Sequence, residues 1–406
     1  MSESLGGSIG GSIGGSIGGS IGGSIGGSIG GSIGGSIGGS IPPDVFSSPL
    51  FSEAMTRHRA ASIDPGALLV PWQVADRTSR SSRLFHWDPW VRSFLVAQEL
   101  IRSLHFVDQS GGGSPQLALK VMAAGADGQL VGPARQLVRM EAPGVDVFTA
   151  QIKSVIGWSE LREDRLPEIL AQIETQHCFW GTLIPIHTDR LRRTRELIEA
   201  AVHLAVFVEM RFKHTLGCWR PIDYSPYVQP ALTTPGHGSL PSGHCTESYV
   251  IYEVLKALLG SALRGDGDMA DVGRDAINRQ FRCIAERVSM NRVVAGLHFP
   301  VDNVAGRLLG TVLGRYVVHR CTADAALHPC PSAEFVGSKF PGDEEFDPTV
   351  QRLFDGEDAA TPAALPPYYV VGKDLPALDA VRSDILGELW DRAEAELVDL
   401  GLAFRS

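Results

Sequence analysis

Asn291-Arg292-Val-Val-Ala-Gly-Leu-His298-Phe-Pro-Val-Asp302 is the stretch on which the reading of this chain turns. It joins two helical patterns, one expected over Val272–Val294 and one over Pro300–Val318. Pro300 suits a first helical turn, where a missing N–H costs nothing. Asp302 then falls within the first turn and His298 just ahead of it. From there the carboxylate can accept a hydrogen bond from one imidazole nitrogen. The other nitrogen stays free as a nucleophile or metal ligand.

Working outward, Pro241-Ser242-Gly243-His244 precedes another helical pattern. Its apolar face is Tyr249, Ile251, Val254, Leu255 and Leu258, with Ser242 as N-cap and Gly260 as the expected stop. Further upstream, Lys213-His-Thr-Leu-Gly-Cys-Trp-Arg220-Pro221 closes a helix expected over Asp189–His214. That helix is apolar around much of its circumference and should be buried in a bundle. A Pro/Gly-rich loop, Cys218–Ser242, follows.

Lys213, Arg220 and Arg292 bring cations from separate places in the chain. Arg offers planar, multi-donor recognition of oxygens and Lys a compact point charge. Ser242, Gly243 and His244 sit where a helix begins, so unpaired N–H groups and the helix dipole converge there. Gly243 lets a ligand approach the backbone. The combination suits a tetrahedral or trigonal-bipyramidal oxyanion, with His244 as general acid–base. Each piece alone is a weak signal; their order and spacing carry the argument.

Composition sharpens it. The 406-residue chain has a formal net charge of −10, which argues against nucleic-acid or anionic-membrane partners and makes a cluster of buried cations more informative. Gly6–Ile41 repeats Gly-Gly-Ser-Ile and reads as a disordered, flexible tail, residues 1–41, whose recurring Ile leaves room for homo-oligomer contacts. No secretory signal or apolar run of membrane-spanning length is visible. The best candidates, Leu197–Val208 and Val301–Val318, are short or interrupted by Arg307 and Arg315. The expectation is a soluble protein, cytoplasmic or secreted without a recognisable signal. The six cysteines lack metal-type spacing, and Cys321 with Cys330 is the one candidate disulfide.

Elsewhere, helices are expected around Trp90–Leu104 and Leu378–Leu400, whereas Leu117–Phe148 fits either a short strand pair or a helix. The fold expected is all-α. A helical bundle over 42–320 carries the motifs, and an acidic extension and helix over 321–406 pack on it.

In this order, Lys-x6-Arg-Pro, Pro-Ser-Gly-His and Arg-x5-His-x3-Asp resemble the signature of the superfamily of type 2 phosphatidic acid phosphatases and vanadium-dependent haloperoxidases. The one departure is Asn291, where that signature has Ser. The resemblance covers Lys213–Asp302 closely and says little of 42–180 or 320–406.

It implies a helical bundle with the anion at one end, held by Lys213, Arg220, Ser242, Gly243 and Arg292. In a haloperoxidase, with vanadate as cofactor, His298 would be the vanadium ligand and His244 would assist peroxide binding. The partners would be hydrogen peroxide, halide and, as a further candidate, an organic acceptor. In a phosphatase, with no cofactor, His298 would attack phosphorus and His244 protonate the leaving group.

His237, seven residues before His244, resembles a second histidine of bromide-oxidising members and favours that branch. Trp219, Tyr224 and Tyr227 either wall the pocket or simply pack. Glu209 and Glu247 are near in sequence with no role assigned. A non-catalytic phosphate-binding scaffold is the reading from another class, disfavoured because both histidines are retained.

Overall fold

A computed structural model describes residues 53–58, 83–111, 113–124, 130–174, 176–186, 190–262, 268–322, 330–348, 351, 353, 365–374 and 382–400. The Gly-Gly-Ser-Ile repeat lies outside them. The longer helices are α1 (Pro89–Ile101), α2 (Val145–Trp158), α3 (Arg162–Glu174), α4 (Arg192–Leu216), α5 (Gly243–Ala262), α6 (Asp268–Val294), α7 (Pro300–Thr322) and α8 (Asp384–Asp399). The strands are β1 (Leu104–Asp108), β2 (Gln116–Ala124), β3 (Leu130–Glu141), β4 (Pro331–Val336) and β5 (Tyr369–Asp374).

Helices α5 and α7 form the centre, each buried around nearly its whole circumference. Such helices lose the one-sided apolar stripe of a surface helix, because every face meets protein. Gly306, Gly310 and Gly314 recur along the face of α7 that meets α5. A Cβ at Gly310 would lie 2.3 Å from the Thr246 carbonyl oxygen, so this close approach requires glycine. Gly260 does not stop α5, which continues to Ala262; left-handed glycines end two other helices, Gly217 after α4 and Gly296 after α6.

Helix α4 lies against α5 and α8. Its N-cap position is Leu191, which has no side chain able to cap. Instead the Glu396 carboxylate of α8 accepts the Arg193 N–H (2.7 Å) and Thr194 N–H (2.9 Å). A distant anion thus takes the place of a local cap at the positive end of the helix dipole.

The all-α expectation holds for this bundle and fails on its flank. The five strands form one sheet in the order β1-β2-β3-β4-β5, antiparallel except for the parallel β3–β4 pair. Within Leu117–Phe148 the strand alternative applies up to Glu141 and a helix begins at Val145. Leu104, expected at a helix end, opens β1. In β4 buried and half-buried residues alternate at first, as a half-buried strand requires. The parallel pairing of Val138–Glu141 with Ala333–Val336 joins segments far apart in the chain, which no local pattern announces. It also makes residues beyond 320 part of the same sheet as β1–β3.

The sheet is tied to α7. The Tyr369 hydroxyl donates to the Val304 carbonyl (3.0 Å), and Tyr316 Oη lies 3.0 Å from Ser103 Oγ. One continuous apolar core runs through bundle and sheet. Among the described residues no helix is long and apolar enough to cross a membrane. All six cysteines are free thiols, so Cys321 and Cys330 are not bridged.

Candidate oxyanion site

Four helix ends meet at one end of the bundle. Lys213 occupies the last turn of α4 and Arg292 that of α6, whereas His244 opens α5 and His298 immediately precedes α7. Cationic side chains thus stand at helix C-termini, where the dipole favours them. The α5 N-terminus adds backbone N–H groups.

His298 and Asp302 are joined as the sequence pattern predicts. Asp302 Oδ2 lies 3.0 Å from His298 Nδ1 and also accepts the Phe299 N–H at 2.9 Å, which closes the start of α7. Arg220 Nη1 sits 2.9 Å from His298 Nε2. A guanidinium can only donate, so Nε2 holds the lone pair and Nδ1 carries the proton shared with Asp302. Burial, followed by the charges of Arg220 and Lys213, holds His298 well below the usual imidazole range. Burial pushes Asp302 the other way, up to about 7, against the Phe299 N–H and the nearby cations. His298 is therefore neutral at neutral pH.

Arg220 organises this half of the site. It donates to the carbonyls of Leu297 (2.8 Å), His237 (3.1 Å) and Gly238 (3.3 Å). Its Nη2 is 3.2 Å from His237 Nδ1. His237 is half-buried and held down to about 3, first by burial and then by Lys213 and Arg220. Lys213 is buried and donates to the Ser239 carbonyl (3.3 Å) and the Pro241 carbonyl. Burial lowers it to about 8, and Arg220 and Arg292 to about 10, so all three remain cations at pH 7.

The other half centres on His244 and Arg292. His244 Nε2 lies 3.0 Å from the Gln172 carbonyl, which can only accept; Nε2 therefore carries the proton and Nδ1 the lone pair. His244 is depressed well below its usual value by burial first, then by Arg292. Arg292 Nη2 donates to Gln172 Oε1 (2.7 Å) and the Ile169 carbonyl (3.1 Å).

Ser242 stands at the N-cap position, with its carbonyl accepting the first helical N–H, from Thr246, at 3.0 Å. Its hydroxyl makes no cap bond and is buried without a partner, which departs from the expected capping role. Behind it, a Cβ at Gly243 would lie 2.6 Å from Glu209 Oε1, so a side chain at Gly243 would force the Glu209 carboxyl to move.

The structure thus gathers Lys213, Arg220, Ser242, Gly243, His244, Arg292, His298, Asp302 and, at the rim, His237. Tyr224 packs edge-on against Phe299 at 5.5 Å, while Trp219 and Tyr227 are exposed. Gln172 and Ile169 of α3 contribute without any signal in the sequence, since α3 lies outside the motif and presents an ordinary helical pattern. Asn291, the departure from the signature, donates to Glu168 Oε2 (3.0 Å) and Gln172 Oε1 (3.2 Å), tying α6 to α3. No group of three or more His, Cys, Asp or Glu side chains poised for a metal ion occurs among the described residues.

A sequence profile of the PAP2 superfamily matches residues 197–324, which span α4 to α7 and every motif residue above. This segment is therefore similar to the PAP2 superfamily, whose members are typically phosphatases or haloperoxidases. No curated protein matches the chain significantly.

Proposed function

We propose that the protein is a vanadate-dependent haloperoxidase that uses hydrogen peroxide to oxidise halide, bromide foremost, to a hypohalous-acid equivalent. The observation that carries this reading is His237, whose Nδ1 lies 3.2 Å from the guanidinium that also touches His298. It adds a third imidazole to an oxyanion pocket that needs only two for acid–base and nucleophilic work.

The residues fit a tetrahedral metal oxyanion. Arg292 Nε and Nη1 and Ser242 Oγ are buried without hydrogen-bond partners, the orphaned donors that a multi-oxygen anion would satisfy. Vanadate would be held by Lys213, Arg220, Arg292, Ser242 and the Gly243 N–H, with His298 Nε2 as its protein ligand. When bound, it supplies Lewis-acid activation of peroxide for oxygen transfer to halide. Asp302 holds His298 in the tautomer that offers Nε2. His244, its Nε2–H engaged by the Gln172 carbonyl, has Nδ1 free to take and return a proton.

The same neutral His298 also suits attack on phosphorus, with His244 protonating the leaving oxygen, so a phosphate-monoester phosphatase is the second reading. A paired assay on one metal-stripped, phosphate-free preparation separates them. Fast bromination of a dione reporter that requires orthovanadate and peroxide, with negligible ester hydrolysis, supports the haloperoxidase. Efficient hydrolysis inhibited by vanadate, with slow bromination, replaces it with the phosphatase. An occupied anion site with neither activity would point to a phosphate-binding scaffold.

A further inference from the structure

Helix α3 reaches the site only through its last turns, yet one residue there touches both catalytic halves of the chain's own motif. The backbone carbonyl of Gln172 faces His244 Nε2 at 3.0 Å. Its side-chain Oε1 accepts from Arg292 Nη2 at 2.7 Å and from Asn291 Nδ2 at 3.2 Å. The residue is 2% exposed, and its own Nε2 is buried without a partner.

That last detail is physically odd. A carboxylate at this position would pair with Arg292 and leave no donor stranded; the amide strands one, at a desolvation cost. What the amide adds is neutrality. Arg292 is buried, and among the described residues no carboxylate lies within ion-pair reach, the charge of Glu247 acting on it only from farther off. Its hydrogen-bond acceptors are the neutral oxygens of Ile169 and Gln172. Arg92, the other most deeply buried arginine, is instead paired to both oxygens of Glu196.

We propose that Gln172 is a positioning residue that orients Arg292 and His244 without neutralising Arg292, so that the bound oxyanion itself becomes the counter-ion of Arg292. This rests on the reading of the pocket as an oxyanion site, whichever reaction it serves. A structural clasp alone would tolerate any acceptor at position 172. A neutral clasp would not tolerate a carboxylate.

The test is tungstate binding to the full chain, measured by calorimetry, with each variant's fold checked by circular dichroism. Tungstate is tetrahedral, doubly charged and inert to peroxide-free buffer. For Q172E the affinity is expected to fall roughly ten- to a hundredfold, the range spanned by one ion-assisted contact, and to recover as acid neutralises the introduced carboxyl. For Q172L, which removes the acceptor but adds no charge, a smaller loss without that pH recovery is expected. Wild-type affinity in Q172E would overturn the neutrality argument, and wild-type affinity in Q172L would overturn the positioning role. If the wild-type protein itself binds no tungstate, the oxyanion reading fails and takes this inference with it.

Discussion

The bundle and the sheet differ in what their residues are for. In the bundle, polar groups are buried and aimed: Lys213, Arg292, His298 and Asp302 are almost fully enclosed, and helix ends deliver them to one place. In the sheet, the polar contacts lie on the outside and hold strands in register, as where Arg139 donates to Glu334 (2.7 Å) and Gln116 (2.8 Å). Buried polar groups without solvent must be satisfied by protein or ligand, so they report function. Half-exposed pairs are screened by water and report little beyond local order.

The sharpest way to break this contrast is to remove the group on which either chemistry depends. His298→Ala should lower halide oxidation or ester hydrolysis by about a thousandfold or more, read as kcat under saturating peroxide or ester. Under the haloperoxidase reading, His237→Ala should impair halide oxidation more than hydrolysis; equal losses in both assays count against that branch.

Next in size is the seam between the central helices. Gly310→Ala places a Cβ 2.3 Å from the Thr246 carbonyl, which cannot move without shifting α5. A loss of about 1–3 kcal/mol is expected, seen as a lower denaturant midpoint. Because α5 carries His244, activity should fall in the same variant even where it remains folded.

Glu209 offers a subtler handle. Both carboxyl oxygens are buried without hydrogen-bond partners, and burial pushes its pKa up to about 8, with Lys213 opposing and Glu247 adding to the shift. The unfolded chain ionises this group near its usual value, 4.5, whereas the folded chain resists until about 8. Stability from this residue is therefore whole below pH 4.5 and is lost as pH rises toward 8. Glu209→Gln should melt higher than wild type, by a margin that grows across that window. A margin independent of pH would show that the carboxyl is ionised in the folded state.

The smallest effect belongs to the sheet. Arg139→Ala removes a partly exposed ion pair and should cost about 1 kcal/mol or less, with the site unaltered. A large loss of activity in this variant would mean that sheet and site are coupled more tightly than the bundle's own contacts suggest.

Much of the site was legible because its chemistry is local. The i to i+4 spacing of His298 and Asp302 on the approach to a helix is enough to join their side chains, and the structure joins them at 3.0 Å. The same holds for Lys213 in a last helical turn and for His244 in a first one. Helix ends could be read to within a few residues, as at Pro300 and at the start expected at Asp189 for a helix that begins at Arg192, but the capping of the latter by Glu396 could not. Gln172 could not be read at all. Its contacts to Arg292 and Asn291 span well over a hundred residues, and an isolated Gln in an amphipathic helix has no spacing rule to betray it.

By itself, then, the sequence determined the helical bundle's motif-bearing core and the pairing of His298 with Asp302, because each depends on neighbours within a turn or two of helix; which nitrogen of His298 carries the proton follows from Arg220, distant in the chain. Only the tertiary structure decided the five-stranded sheet, the clasp of α3 on Arg292 and His244, and the burial of Glu209 behind Gly243. Those depend on which distant surfaces meet, and a parallel strand pair or a cross-helix hydrogen bond leaves no periodic trace in the chain that makes it.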